Sequence, residues 1–272
     1  MNILRKTGLA SAALAMAFLV GGTAQAADLL GPSMKDGPVS FAPPPPAAGP
    51  CYFRADTGYA SSVDPEARWW VAGETKVTQT SLENSWFVEA GVGCGTSGIT
   101  GRGIRGELVL GYHGQRHFTG EPPVMVPLDP MHANIESYTM MVNAYFDLGT
   151  WGRITPYVGA GIGMAYNRVD KVYFTNNPAL TGIISGDSDL SFAWSLMAGL
   201  SFRLTERAIL DVGYRYMDLG RAASGRADVT GTFVNPRAYF DDLGSHEVKV
   251  GLRYHFGGGN ACCSAPTYVS VK

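Results

Sequence analysis

Three histidines offer the most visible chemistry in the first half of the chain. His113 and His117 stand four apart in His113-Gly114-Gln115-Arg116-His117, and His132 ends the same loop region. On a helix that spacing would turn two imidazoles to one face and invite zinc. Here it straddles the end of a strand pattern and lacks the glutamate of the metalloprotease motif, so no metal site is expected. Phosphate binding is a second possibility, through Tyr157-Val158-Gly159-Ala160-Gly161-Ile162-Gly163. The glycine spacing fits neither common nucleotide fingerprint, and no helix or lysine follows to receive a phosphate. Hydrolysis by a serine elbow would need Gly-x-Ser-x-Gly, which is absent. Asp64, Glu83, His117, His132, Asp187 and Asp242 fall on prospective loops. Acidic loop groups are more often solvated or in contact with divalent ions, and no pair here has a spacing that commits it to acid–base work. Neither catalytic residues nor a cofactor are therefore expected.

The elements that would carry these residues are two-faced strands. Residues 191–204 place Phe192, Trp194, Leu196, Ala198, Leu200, Phe202 and Leu204 on one face, against Ser191, Ala193, Ser195, Gly199, Ser201 and Arg203. Residues 209–216 set Leu210, Val212, Tyr214 and Tyr216 against Asp211, Gly213 and Arg215. Residues 247–256 set Val248, Val250, Leu252, Tyr254 and Phe256 against Glu247, Lys249, Gly251, Arg253 and His255. Side chains alternate across a strand, so each segment has one apolar wall and one wall of charge and glycine. That is the pattern of a transmembrane barrel strand, greasy toward lipid and polar toward the lumen.

The rest of the chain agrees. Arg5 and Lys6 precede an apolar run from Gly8 to Val20, and Ala24-Gln25-Ala26 supplies a cleavage site, so residues 1–26 read as a signal peptide. No cysteine stands there to take a lipid anchor. Removing the peptide shifts the formal charge from −2 to −4, which gives nucleic acid no reason to bind. No later stretch is apolar enough for a membrane helix. With 35 glycines, 11% aromatic and 16% charged residues, the composition suits an all-β chain with many turns. Residues 27–50, with Pro43 to Pro46, form a proline-rich periplasmic spacer that cannot pair in a sheet.

Eight strands are predicted, at about 51–60, 86–94, 103–113, 135–148, 154–167, 190–204, 208–219 and 245–256. Short connections alternate with connections of about twenty residues or more, matching short periplasmic turns and long outer loops. The fold class is all-β, an eight-stranded antiparallel up-and-down transmembrane β-barrel spanning 51–256, followed by a C-terminal tail, 257–272. Taking the apolar parity of each strand, Tyr59, Trp86, Tyr112, Tyr138, Phe192, Trp194, Tyr214 and Tyr216 fall at the outer end. Phe53, Phe146, Phe202, Tyr254 and Phe256 fall at the inner end. Two such belts are what amphipathic rings prefer at the two interfaces, and a soluble sandwich would give no reason for the sorting.

The opposite parity defines the lumen. It holds Arg54, Asp56, Glu89, Arg105, Glu107, Asp147, Arg203, Asp211, Arg215, Glu247, Lys249 and Arg253. Eight strands enclose a space only wide enough for side chains, so these charges must pair and fill it; an ion pathway is the weaker alternative. Gly159, Gly161 and Gly163 share the inward parity and are expected to make room for charged side chains across the barrel. Cys51 opens the first strand and Cys94 closes the second, which places both at one end of a hairpin and predicts a disulfide in an oxidising compartment. Cys262 and Cys263 leave their connectivity open.

Three stretches carry a family resemblance: Tyr157 to Gly163, Leu210-Asp211-Val212-Gly213-Tyr214-Arg215-Tyr216-Met217-Asp218-Leu219-Gly220, and Glu247 to Phe256. They resemble the small outer-membrane barrels of opacity-type and OmpA-like surface antigens. The signal peptide, Ala27-Asp28-Leu29 and the spacer look like the alphaproteobacterial major surface-antigen branch. The resemblance implies an integral outer-membrane protein with mobile loops outside, lipopolysaccharide around the outer belt, and insertion by the barrel-assembly machinery. Its implied role is structural and surface-interacting, antigen- or adhesin-like, with an environmental or host-surface ligand at four long loops. A narrow or gated porin-like passage and a lipid-A-modifying enzyme are the alternatives. One departure stands out: barrels of this kind commonly end on an aromatic residue, whereas sixteen residues follow Phe256.

Overall fold

The computed structural model describes residues 49–70, 74–96, 102–121, 129–170, 172–174, 184–226 and 237–256. The signal peptide, the spacer up to residue 48 and the tail with Cys262 and Cys263 lie outside the described residues. The described residues form fourteen strands: β1 (Cys51–Ser62), β2 (Glu66–Trp70), β3 (Glu74–Lys76), β4 (Thr78–Leu82), β5 (Ser85–Gly95), β6 (Gly103–Glu121), β7 (Met131–Asp147), β8 (Ile154–Val169), β9 (Tyr173–Phe174), β10 (Asp187–Arg203), β11 (Ala208–Asp218), β12 (Ala222–Ala223), β13 (Ala238–Asp241) and β14 (Gly244–Phe256). No helix occurs among the described residues.

Eight of these strands close into the barrel in the order β1-β5-β6-β7-β8-β10-β11-β14, every pair antiparallel, with β14 returning to β1. Closure leaves the ladder with no free edge in the hydrocarbon, where an unpaired backbone group would be very costly. The alternating apolar parity is realised across the membrane-spanning part of the strands: Leu108, Leu110, Val142, Ile162, Leu196 and Val248 are exposed on the outer wall. On the short-turn side, Gly152 adopts φ 64° and lets the chain reverse between the bridged residues Trp151 and Ile154. A side chain there would meet the left-handed steric penalty that glycine escapes.

The predicted strand starts and ends at the short-turn end hold to within a residue or two, but several strands run well past their predicted outer ends. β6 continues to Glu121 rather than stopping at His113, and β7 begins at Met131 rather than near 135. About ten residues suffice for a tilted membrane strand, so β6, with 19, stands well clear of the bilayer. On this rim the first and last outer connections meet in a second sheet, ordered β12-β13-β2-β3, while β4 extends the wall beside β6. These five short strands fall in stretches read from the sequence as loops. Over the described residues these connections thus form a folded cap of short strands rather than irregular loops.

The cap has a core of its own. Phe118, Met131, Ile135, Val169, Phe174, Leu219, Phe240 and Leu243 are buried together, drawn from both sheets. Phe118 and Phe240 meet edge to face with ring centroids 4.7 Å apart. Ala238 and Phe240 on β13 and Ala67 on β2 turn inward. Arg68 with Asp241 ties β2 to β13, and Arg221, just before β12, meets the same carboxylate at 2.9 Å.

Candidate functional site

The lumen is filled from the periplasmic end by charged side chains that cross it. Arg105 on β6 holds Asp147 at 3.0 Å and Glu107 at 3.3 Å. Arg54 on β1 pairs with Glu107 and, at 2.5 Å, with Asp56, and the Tyr52 hydroxyl donates to Glu107 at 2.6 Å. Across the barrel Arg253 donates to Asp211 at 2.6 Å and to Ser201 at 2.8 Å, while Ser201 donates to the same carboxylate at 2.6 Å. Lys249 lies 3.8 Å from Asp56 and 4.0 Å from Glu89, linking this layer to the one above. There Arg215 on β11 reaches across to Glu89 on β5 at 2.7 Å and also pairs with Glu247. Around each carboxylate a cation and further donors replace the hydration it would have in water.

Aromatic rings close the remaining space. The Arg105 guanidinium sits 4.7 Å from the Tyr145 ring centre and 5.3 Å from that of Tyr157. Gly159, Gly161 and Gly163 do leave room, but for β7 rather than for charges across the barrel. A Cβ on Gly159 would meet Tyr145 at 2.6 Å, and one on Gly163 would meet the Met141 sulfur at 2.8 Å. Neighbouring strands lie about 5 Å apart, so the first space a missing side chain frees belongs to the adjacent strand. Gly251 does serve a charge, since its Cβ would collide with Asp56 Oδ1.

Eleven of the charges placed in the lumen from sequence are buried there: Arg54, Asp56, Glu89, Arg105, Glu107, Asp147, Asp211, Arg215, Glu247, Lys249 and Arg253. Arg203 is the departure. It is the last residue of β10, half-exposed at the periplasmic mouth and outside the paired network. Arg116 takes its place as a sixth buried base, 1% exposed, with its guanidinium donating to Ser137 at 3.1 Å. Extrapolating the β6 alternation would turn Arg116 outward. A register shift between His113 and Arg116 reverses the parity, and nothing in the local sequence except Gly114 hints at it. The same shift separates the two histidines spaced four apart: His113 is buried 3.5 Å from Glu247, whereas His117 is on the outer surface.

The aromatic residues assigned to the belts stand on the outer wall. Trp86–Tyr112 and Tyr112–Tyr138 are in ring contact at 5.6 and 5.1 Å, and Trp194–Tyr216 at 5.4 Å. Tyr59 faces Trp86 in the ladder, and Phe192 and Tyr214 are exposed at this end. At the other end Phe53 packs on Phe256 at 4.4 Å, with Phe146, Phe202 and Tyr254 also turned outward. Cys51 pairs with Cys94 across β1 and β5, with the sulfurs 2.10 Å apart, as predicted from their hairpin positions.

Above the belt, the rim groups weighed for acid–base work and set aside are dispersed. Asp64 accepts from the Leu82 amide, Asp187 pairs with Arg237 at 3.1 Å, and Asp242 makes a turn at φ 57°. The side chains of His117 and His132 are brought together, their Nε2 and Nδ1 atoms 3.2 Å apart, and the Glu83 amide donates to the His117 carbonyl at 2.9 Å. Burial and the neighbouring His117 hold the His132 imidazole below its ordinary value, while Asp129 pulls it the other way.

A closed eight-stranded barrel with an apolar outer wall, two aromatic girdles and a polar filled interior is an integral membrane protein of the bacterial outer membrane. Residues 11–256 match the family model described as outer membrane protein beta-barrel domain, and the chain belongs to that family. It is 29% identical over 268 residues to an uncharacterised protein of Brucella abortus strain 2308, covering 86% of this chain and 93% of that protein. The outer membrane protein PagN of Salmonella typhimurium is 28% identical over 163 residues, 56% of this chain and 65% of that protein. The outer membrane protein OprG of Pseudomonas aeruginosa shares the fold at 15% identity and a TM-score of 0.51, covering 78% of this chain and 99% of that one.

Proposed function

We propose that the protein is a non-enzymatic outer-membrane barrel with a structural and surface-interaction role, exercised through its folded extracellular cap. One observation carries this reading: cross-barrel ion pairs fill the lumen and a packed apolar core lies over them. Such an interior favours a rigid stem over a passage, which leaves the outward surface of the cap as the part that meets other molecules. Lipid and lipopolysaccharide surround the stem; an environmental or host-surface ligand meets the cap.

Two measurements test it together. In planar bilayers the purified protein gives no discrete conductance steps; repeated steps that change with Arg215→Gln or Glu247→Gln would replace the sealed stem with a pore. Cells displaying the protein adhere to epithelial monolayers, and replacing residues 66–82 and 222–241 by short turns removes that adherence while the barrel stays folded. Equal adherence without the cap, or an altered lipid A mass profile in expressing cells, would overturn the reading.

A further inference from the structure

His117 and His132 come from opposite sides of a long outer connection, yet the ladder makes them diagonal neighbours on one face. His117 lies opposite Asn134 and Thr119 opposite His132 in the β6–β7 register, and Tyr173 of β9 pairs with His132 from the other side. All are positioned by strands rather than by loop tips, and both imidazoles are half-exposed on the water side of the Tyr112–Tyr138 girdle. Asn134 Oδ1 stands 2.9 Å from His117 Nδ1. An amide oxygen only accepts, so Nδ1 carries the proton and Nε2 keeps its lone pair. That lone pair is aimed at His132 Nδ1, 3.2 Å away. Thr119 Oγ1 is also 3.2 Å from this nitrogen, and the Tyr173 ring stacks against His132 at 5.1 Å, restraining it.

We infer that His117 Nε2 and His132 Nδ1 form a surface binding site for a late first-row divalent cation, of the Zn²⁺ or Cu²⁺ class. Imidazole nitrogens suit these ions, which bind at about 2.0–2.1 Å. Two nitrogens 3.2 Å apart then subtend roughly 100° at the metal, close to a tetrahedral angle. Without metal, His132 Nδ1–H donates to His117. On binding, His132 moves its proton from Nδ1 to Nε2 through solvent, so the ring stays neutral and no net proton is released. Asn134 acts as the outer partner that sets the His117 tautomer, the usual arrangement for a metal-ligating histidine. Water completes the coordination, and the open positions allow a donor from another molecule to join. From the sequence no metal site is expected, His113 and His117 being set aside on their spacing; the β-bulge separates those two, and strand pairing supplies His132.

The test uses the full mature chain, with Cys51–Cys94 intact and Cys262→Ser/Cys263→Ser to silence the tail thiols, folded in detergent micelles. Calorimetric titration with ZnCl₂ gives one saturable site per chain. His117→Ala or His132→Ala abolishes it, Asn134→Ala weakens it by about 10–100-fold, and His246→Ala on the outer wall leaves it unchanged. Cu²⁺ bound to the parent shows two equatorial nitrogens in its electron paramagnetic resonance spectrum, a readout that needs no variant to fold. Absence of saturable binding, an isotherm unchanged by both histidine variants, or a copper spectrum with fewer than two nitrogens would overturn the assignment.

Discussion

Along β7 the lower and upper halves of the molecule can be compared on a single strand. Odd residues face inward from end to end. At the periplasmic end they are Asp147, Tyr145 and Asn143, and at the outer end Ile135, Ala133 and Met131. The even, outward residues change in the opposite sense, from Phe146, Ala144, Val142 and Met140 to Glu136, Asn134 and His132. Both faces exchange character around Ser137 and Tyr138, at the outer aromatic girdle. The lower half is polar inside because its solvent is hydrocarbon; the upper half is apolar inside because its solvent is water. The hydrophobic effect is the same in both, and only the medium beyond the wall differs.

The comparison breaks most sharply where a charge loses its partner. Arg215→Met leaves Glu89 and Glu247 without their shared cation, and is expected to cost about 3–5 kcal/mol in urea unfolding from micelles. Replacing both members of a pair, Arg253→Met with Asp211→Leu, is expected to be near neutral. Equal losses in the two experiments would refute the view that the ions are held by pairing. In the upper half, Phe240→Ala opens a cavity against Phe118 and is expected to remove about 3–5 kcal/mol of local stability. Its signature is protease cleavage in the cap with the heat-modifiable gel shift of the barrel intact; loss of both together would make the halves one cooperative unit.

A smaller change is expected at the periplasmic mouth. Cys51→Ser with Cys94→Ser removes a crosslink over a sequence separation of 43 and should lower unfolding stability by about 2–4 kcal/mol, without added cleavage in the cap. The smallest effect is that of acid. The His132 value is depressed below 6.5 in the folded protein, so the unfolded chain binds more protons as pH falls through that range. Cap stability is therefore full above about pH 6.5 and declines below it, which pH-resolved hydrogen exchange of β6 and β7 would register. His132→Gln flattens the profile; an unchanged profile would assign the effect elsewhere.

Much of the barrel was legible because lipid imposes a strict period of two. Val248, Val250, Leu252 and Tyr254 against Glu247, Lys249, Gly251 and Arg253 admit one orientation, and a slip by one residue would bury three charges in hydrocarbon. The cap was hidden because its strands are short and its apolar residues isolated. Ala67, Phe118 and Phe240 are far apart in the chain and look like ordinary loop residues until the rim gathers them. Arg116 was hidden by a bulge, and Arg203 was misplaced because parity says nothing about how far along the lumen a residue lies. The glycines of β8 were assigned to the right face but the wrong beneficiary, since alternation does not reveal which neighbour fills a vacated space.

Alternation, girdles, cysteine positions and connection lengths thus determined the membrane, the number of barrel strands and eleven of the charged residues that face the lumen, since each is a local response of the chain to its solvent. Tertiary structure alone decided which acid meets which base, the folding of two outer connections into a sheet, and the meeting of His117 with His132. Those depend on strand register and barrel closure, which bring together residues far apart in the chain, 15 positions for His117 and His132 and 173 for Arg68 and Asp241. No local pattern encodes a distance of that kind.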